Sequence, residues 1–191
     1  MRELIYYVAT SLDGFIARDD GSLADFPWDE DFGAHLLEHF PETFPVHLRG
    51  DGFTKNDNRM FDTVLMGRKT YEVGLQVGVS SPYPTMEQYV FSRSIQVAPD
   101  SDVNIIRSNA VENVRKMKQQ AGRAIWLCGG AELASTLLSG DLIDGLIVKV
   151  NPVLFGTGIP LFLEPIQRSR LVLENHRAFD SGHVILQYDV A

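Results

Sequence analysis

A short apolar run, a glycine and a helix start follow one another twice in this chain, and that pattern constrains the fold more than any other feature. The first instance is Thr63-Val64-Leu65-Met66, then Gly67, then Arg68-Lys69-Thr70-Tyr71-Glu72. The second is residues 124–127, the Gly129-Gly130 turn, and a helix over 131–138 that Gly140 ends. Both apolar runs are too short to be helices and read as strands. Strands that feed helices through tight turns build βαβ units, whose strands lie parallel with helices on the faces.

The rest of the chain extends that pattern. Residues 4–10 form an apolar first strand that stops at the Asp13-Gly14 turn, and residues 89–91, 103–106 and 146–150 are further short strands. Residues 171–174 and 184–190 flank Asp180-Ser181-Gly182, a turn that predicts an antiparallel hairpin. In the last strand Val184, Leu186, Tyr188 and Val190 share one face and Ile185, Gln187 and Asp189 the other. Val111, Val114, Met117 and Ala121 recur near a helical period, which puts Arg115, Lys116 and Lys118 on the wet side of a helix over 111–121. Residues 19–57 are rich in Gly, Pro, Asp and aromatics and read as loop and lid around one helix over 31–40. The expected fold is α/β: a mixed, mostly parallel central sheet, helices on both faces, and an antiparallel C-terminal hairpin.

With 191 residues and 45% hydrophobic content, the chain suits one domain over 1–191, without internal repeat, low-complexity tract or linker. Seventeen basic against 25 acidic residues give a net charge of -8, which opposes nucleic acid and anionic membrane as partners. It does not exclude an anionic cofactor held by a few convergent cations and N–H groups. Cys128 is the sole cysteine, so an internal disulfide and a Cys-rich zinc site are excluded, and a reducing compartment fits. The N-terminus lacks a signal-peptide pattern and no run approaches a membrane span; the expected location is the cytoplasm.

Chemistry concentrates at the glycine turns. In Met66-Gly67-Arg68-Lys69-Thr70 the glycine lets the chain turn tightly into a helix whose unpaired N–H groups attract phosphate, with Arg68, Lys69 and Thr70 adding charge and a hydroxyl. A plain capped helix start fits these five residues equally well. Cys128-Gly129-Gly130-Ala131-Glu132-Leu133 repeats the geometry and lets a pyrophosphate or ring approach the backbone. Neither matches the dinucleotide fingerprint G-x-G-x-x-G or the P-loop. Ser92-Arg93 puts a basic residue at a strand end, where α/β crevices form, although a surface arginine reads the same way. His35 and His39 have i, i+4 spacing without an evident third ligand, so no metal is expected, and Cys128 reads as a buried, inert thiol.

Taken together, Ala9-Thr10-Ser11-Leu12-Asp13-Gly14-Phe15-Ile16-Ala17, the Met66–Glu72 segment, Val90-Phe91-Ser92-Arg93 and Gly129-Gly130-Ala131-Glu132-Leu133 resemble the dihydrofolate reductase superfamily in order and spacing. Leu142-Ile143-Asp144-Gly145-Leu146 and the loop Asn151-Pro152-Val153-Leu154-Phe155-Gly156-Thr157-Gly158-Ile159-Pro160-Leu161-Phe162 resemble the reductase domain of the bifunctional riboflavin-biosynthesis deaminase/reductase. The resemblance implies a dihydrofolate reductase-like three-layer fold and NADPH as cofactor. It places Ala9 and Ile16 at the nicotinamide, Gly67, Arg68, Lys69 and Thr70 at the phosphates, Ser92 and Arg93 at the adenosine 2′-phosphate, and Gly129, Gly130, Ala131 and Glu132 against the diphosphate and nicotinamide. A homodimer is plausible on the same ground.

The departures bear on the substrate. Folate enzymes carry an acid in the first helix shortly after a Pro-Trp pair; here Pro27-Trp28 is followed at that register by Gly33, with Asp31 two residues earlier. Asp31 is the candidate proton donor or substrate anchor, Trp28 and Phe32 the candidate pocket wall; Asp29, Glu30 and Asp31 also suit a helix's first turn. One cysteine cannot supply the ligands of the fused zinc deaminase. The expectation is an NADPH-dependent reductase of a small heterocyclic or ribosylamino substrate, in its sharpest form 5-amino-6-(5-phosphoribosylamino)uracil. Dihydrofolate reduction, a non-catalytic nucleotide-binding or regulatory protein of the same fold, and a scaffold or dimerisation module are the alternatives.

Overall fold

A computed structural model describes residues 1–49, 52–95, 102–166 and 168–191. Eight strands form one sheet: β1 (Leu4–Ser11), β3 (Phe61–Gly67), β4 (Glu87–Phe91), β5 (Val103–Ile106), β6 (Ala124–Gly129), β7 (Gly145–Asn151), β9 (Leu171–Ala178) and β10 (Val184–Val190). Their order is β5-β4-β3-β6-β1-β7-β10-β9; β5 to β7 run parallel, and β10 is antiparallel to both β7 and β9. This is the mixed, mostly parallel sheet with a terminal hairpin that the sequence predicts. A separate antiparallel pair joins β2 (Phe15–Ala17) to β8 (Ile159–Pro160), which is too short to carry a sequence signal.

The central strands are buried on both faces, as continuous apolar runs require. On one face α1 (Glu30–His39) and α2 (Arg68–Gln76) pack Phe32, Leu36 and Tyr71 against Ile5, Tyr7, Met66, Trp126, Ile147 and Ile185. On the other, α3 (Ala110–Lys118) and α4 (Ala131–Ser139) pack Val114, Met117, Leu133 and Leu137 against Leu4, Tyr6, Leu65, Leu127 and Leu146. Helices therefore cover both faces, in three layers.

Three sequence expectations change. Lys118 is not on the wet side of α3: it is buried, and its ammonium donates to the Leu142 carbonyl at 2.8 Å and the Asp144 carboxylate at 2.5 Å. That pairing satisfies a buried charge which helical periodicity cannot foresee. Ala121 lies beyond the end of α3 and is exposed. The hairpin's outer strand runs to Ala178 rather than residue 174, exposed along its whole length.

Among the described residues between β2 and β3 the chain forms α1 and three single 3₁₀ turns, at Pro41–Thr43, Val46–Leu48 and Lys55–Asp57. Glu42 fastens this segment to the sheet: its fully buried carboxylate accepts from the backbone N–H groups of Arg59, Met60 and Phe61 at 3.1, 2.7 and 2.6 Å. No helix among the described residues is long and apolar enough to cross a membrane.

Candidate active site

Adjacent parallel strands β3 and β6 end at Gly67 and Gly129, and the helices that follow leave on opposite faces, α2 over one and α4 over the other. Such a divergence opens a crevice at the carboxyl ends of the strands, where α/β proteins bind ligands. Gly67 is the N-cap of α2 and Gly130 that of α4, so two helix N-termini, each with unpaired N–H groups, meet there. Their approach is close at Gly67, where a Cβ would lie a tight 3.2 Å from the Gly130 nitrogen and in ordinary contact, at 3.5 Å, with the Gly129 carbonyl oxygen. The Thr70 hydroxyl faces both Gly129 and Gly130. The Gly129-Gly130 peptide is cis. Ala131 is buried and Glu132 exposed in the first turn of α4.

The basic residues differ in how committed they are. Arg68 forms a two-pronged ion pair with Glu72, one turn on, at 2.8 and 2.9 Å, while Lys69 is exposed. Ser92 is buried and its hydroxyl accepts from the N–H groups of Ser94 and Ile95, tying the turn after β4. Arg93 is exposed, and Arg107, at the end of neighbouring β5, donates to its carbonyl at 3.3 Å. Two arginines thus share this rim; the second stands alone in sequence as Ile106-Arg107-Ser108 and carries no motif.

Ala9, half-buried on β1, and Ile16, on β2, flank a zipper between two distant loops. Asp13 accepts from the Ser11 hydroxyl at 2.6 Å and from the N–H groups of Phe155 and Gly156 at 3.1 and 2.7 Å. The Ser11 hydrogen bond foremost, then those N–H groups, draws its carboxyl down to about 2. Leu12 N–H to the Val153 carbonyl, Leu161 N–H to Gly14, and Thr157 to Asp19 extend the seam. Gly158 lies so close to the Ala17 carbonyl that a Cβ there would overlap its oxygen. In sequence Asp13 is legible only as part of the Asp13-Gly14 turn.

The α1 side forms the other wall. Asp29 caps α1 by accepting from the Phe32 N–H at 3.1 Å, and Asp31 is exposed in the first turn. The Trp28 ring, 65% exposed, lies across Gly33 so closely that any side chain at 33 would displace it. Gly33 is therefore the seat of Trp28 and cannot hold an acid in this arrangement. Phe32 points into the core, stacked 4.3 Å from the buried His183 ring, whose Nε2 and the Pro27 carbonyl are 3.1 Å apart. The His35 and His39 rings lie 4.1 Å apart, and among the described residues no three His, Cys, Asp or Glu side chains gather as a metal site.

Beneath α1, Lys149 stands on β7 in register with Ala9 on β1 and Ile185 on β10. Its ammonium lies 4.0 Å from the centre of the Tyr7 ring, and burial lowers its pKa to about 8. Cys128 faces the same side near the Tyr83 hydroxyl, and burial pushes its thiol up to about 12, which leaves it protonated.

The family model described as the RibD C-terminal domain matches residues 2–185. The uncharacterized protein YwjB of Bacillus subtilis (strain 168) is 34% identical over 178 residues, covering 93% of this chain and 92% of its own. Among solved structures, Acinetobacter baumannii RibD (form 2) has a TM-score of 0.68 at 18% identity, over 100% of this chain and 58% of that one. Dihydrofolate reductase from Enterococcus faecalis, complexed with NADP(H) and RAB-propyl, has a TM-score of 0.61 at 18% identity, over 98% of this chain and 96% of that one. These two likenesses establish the dihydrofolate reductase-like fold.

Proposed function

Because this chain belongs to the RibD C-terminal domain family, we propose that the crevice is the active site of an NADPH-dependent reductase acting on a small heterocyclic or ribosylamino substrate. The observation that carries the reading is the meeting of the α2 and α4 N-termini at Gly67 and Gly130, where a Cβ on Gly67 would come within 3.2 Å of the Gly130 nitrogen. A diphosphate fits that cradle, since both dipoles and the unpaired N–H groups converge on one place.

Gly67, Arg68, Lys69, Thr70 and the turn from Gly129 to Glu132 would hold the phosphates, and Arg93 with Arg107 would meet a 2′-phosphate beside Ser92. NADPH, when bound, supplies a hydride. The chain's own share is orientation and exclusion of water. The Asp13-centred zipper keeps the loops beside Ala9 and Ile16 closed, Trp28 walls the outer cleft, and the Asp31 carboxyl stands at its mouth as proton donor or anchor. The loop from Asn151 to Phe162 favours 5-amino-6-(5-phosphoribosylamino)uracil as the first substrate to try. The vacant acid position at Gly33 weighs against dihydrofolate.

The test is titration with NADPH and with NADH, followed by nicotinamide fluorescence, for the wild type and Arg68→Ala. Tight NADPH binding that the substitution weakens, with oxidation of NADPH in the presence of the uracil derivative, is the expected result. Binding without turnover of any pterin or riboflavin-pathway intermediate would favour the nucleotide-binding alternative; binding of neither nucleotide would end the reductase reading.

A further inference from the structure

Two lysines of this protein are drawn into the fold, and they are treated differently. Lys118 is braced by the Asp144 carboxylate and the Leu142 carbonyl. Lys149 has no such brace: among the described residues its ammonium has neither an ion pair nor a hydrogen bond, only the face of Tyr7. Its surroundings on that side of the sheet are Tyr7, Ala9, Cys128 and Ile185, with Phe32, Leu36 and Phe179 in the same apolar cluster; Glu42, the buried acid that acts on Tyr7, is engaged by three backbone N–H groups and makes no ion pair with Lys149. An ammonium drawn partly out of water gains from a counter-charge or an acceptor, and a ring face supplies only part of it.

Lys149 is half-buried and its ammonium keeps some contact with solvent, so it stays within reach of a bound molecule. Its register neighbour is Ala9, beside the expected nicotinamide, which puts the ammonium on the substrate's side of the cleft. We propose that Lys149 is the substrate's charge anchor: the cleft takes a molecule that brings an oxyanion, on its ring or on a phosphorylated arm, to the Lys149 ammonium.

This rests on the reductase reading for the cleft's role as a substrate site, and the experiment separates the two. Wild type, Lys149→Met and Lys149→Arg are titrated calorimetrically with orotate, an anionic pyrimidine, with uracil, its neutral counterpart, and with ribose 5-phosphate, each with and without NADPH. In the wild type, orotate or ribose 5-phosphate should bind at least about tenfold more tightly than uracil, as expected of a charge-assisted hydrogen bond. Lys149→Met should erase that preference and leave NADPH affinity unchanged, and Lys149→Arg should keep it. Dependence for orotate alone puts the oxyanion on the ring, and for ribose 5-phosphate alone on the arm. Because no described residue of the protein pairs with the anchor, Lys149→Met should also raise the melting temperature, whereas a structural lysine would lower it. Equal binding of charged and neutral probes by the wild type, a preference that survives in Lys149→Met, or a lower melting temperature overturns the proposal. Failure of NADPH to bind overturns the reductase reading alone, since the titrations without cofactor still decide the anchor.

Discussion

The Asp13 carboxylate and the Gly156 backbone N–H, 143 residues apart in the chain, meet at 2.7 Å and join the loop after the first strand to the loop after β7. Three donors on one carboxylate hold it ionised, and its carboxyl is drawn down to about 2 from an ordinary 3.8. A depressed folded-state pKa contributes stability above 3.8 that is lost as pH falls through the window from 3.8 to 2. Asp13→Ala should therefore speed amide hydrogen exchange at Phe155 and Gly156 at pH 7. In the wild type the same amides should lose protection below about pH 3. Unchanged exchange in the variant would remove Asp13 from its role as clamp.

Gly33 and Gly158 both exclude a side chain, for different reasons, and substitution should separate them. At 158 the obstacle is the Ala17 carbonyl, fixed backbone in the β2–β8 pair. At 33 it is the ring of Trp28, a largely exposed side chain free to swing away. Gly158→Ala should destabilise by about 1–3 kcal/mol through overpacking. Gly33→Ala should lie within about 1 kcal/mol of wild type, helix propensity offsetting the lost ring contact, and should shift the Trp28 fluorescence. Denaturant unfolding and emission spectra of both variants check this.

Lys149, half-buried against an apolar cluster, makes the opposite prediction from most residues drawn into a core. Its pKa falls from 10.5 to about 8 on folding, so below 8 the folded protein carries the charge at a cost. Between 8 and 10.5 the unfolded chain still holds the proton that the folded one has released, so wild-type stability rises with pH across that window. Lys149→Met should be more stable than wild type by about 1–3 kcal/mol at pH 7, with the gap closing as pH approaches 10.5. Urea titrations at pH 7 and pH 10 measure it.

Why some of this was legible in sequence and some not follows from separation along the chain. The two strand–glycine–helix units, the hairpin around Asp180-Ser181-Gly182 and the helices on both faces rest on local periodicity and turn chemistry, and these appear where expected. The Gly67 and Gly130 turns each read as a phosphate loop, but their packing against one another depends on β3 and β6 being neighbours. Likewise the zipper from Asp13 and the seat of Trp28 on Gly33 are tertiary pairings with no periodic trace. Lys149 did leave a signal, a lone charge in Leu146-Ile147-Val148-Lys149-Val150, yet only the register with Ala9 and Ile185 shows which side of the sheet it takes.

Glu42 tests how the segment between β2 and β3 is held. Its buried carboxylate is the acceptor for three successive backbone N–H groups at the entrance to β3, and removal leaves those donors without it in a water-poor site. Glu42→Ala should destabilise by about 3 kcal/mol, and Glu42→Gln, which keeps one carbonyl acceptor, by less. Hydrogen exchange at Met60 and Phe61 should rise in the same order, and equal stability of all three proteins would contradict this account.

Arg107 decides whether the rim after β4 and β5 recognises a 2′-phosphate. It stands beside Arg93, to whose carbonyl it donates, and both lie at the carboxyl ends of neighbouring parallel strands. A guanidinium in that position contributes only when the ligand carries the extra phosphate, because adenosine without it offers no anion there. Arg107→Ala should weaken NADPH binding by about tenfold while NADH affinity stays within twofold, and Arg93→Ala should act in the same direction. Raising salt should narrow the wild type's preference for NADPH, since an exposed ion pair is screened. Parallel loss of both nucleotides in Arg107→Ala would mean that the arginine supports the turn after β4 and does not read the phosphate.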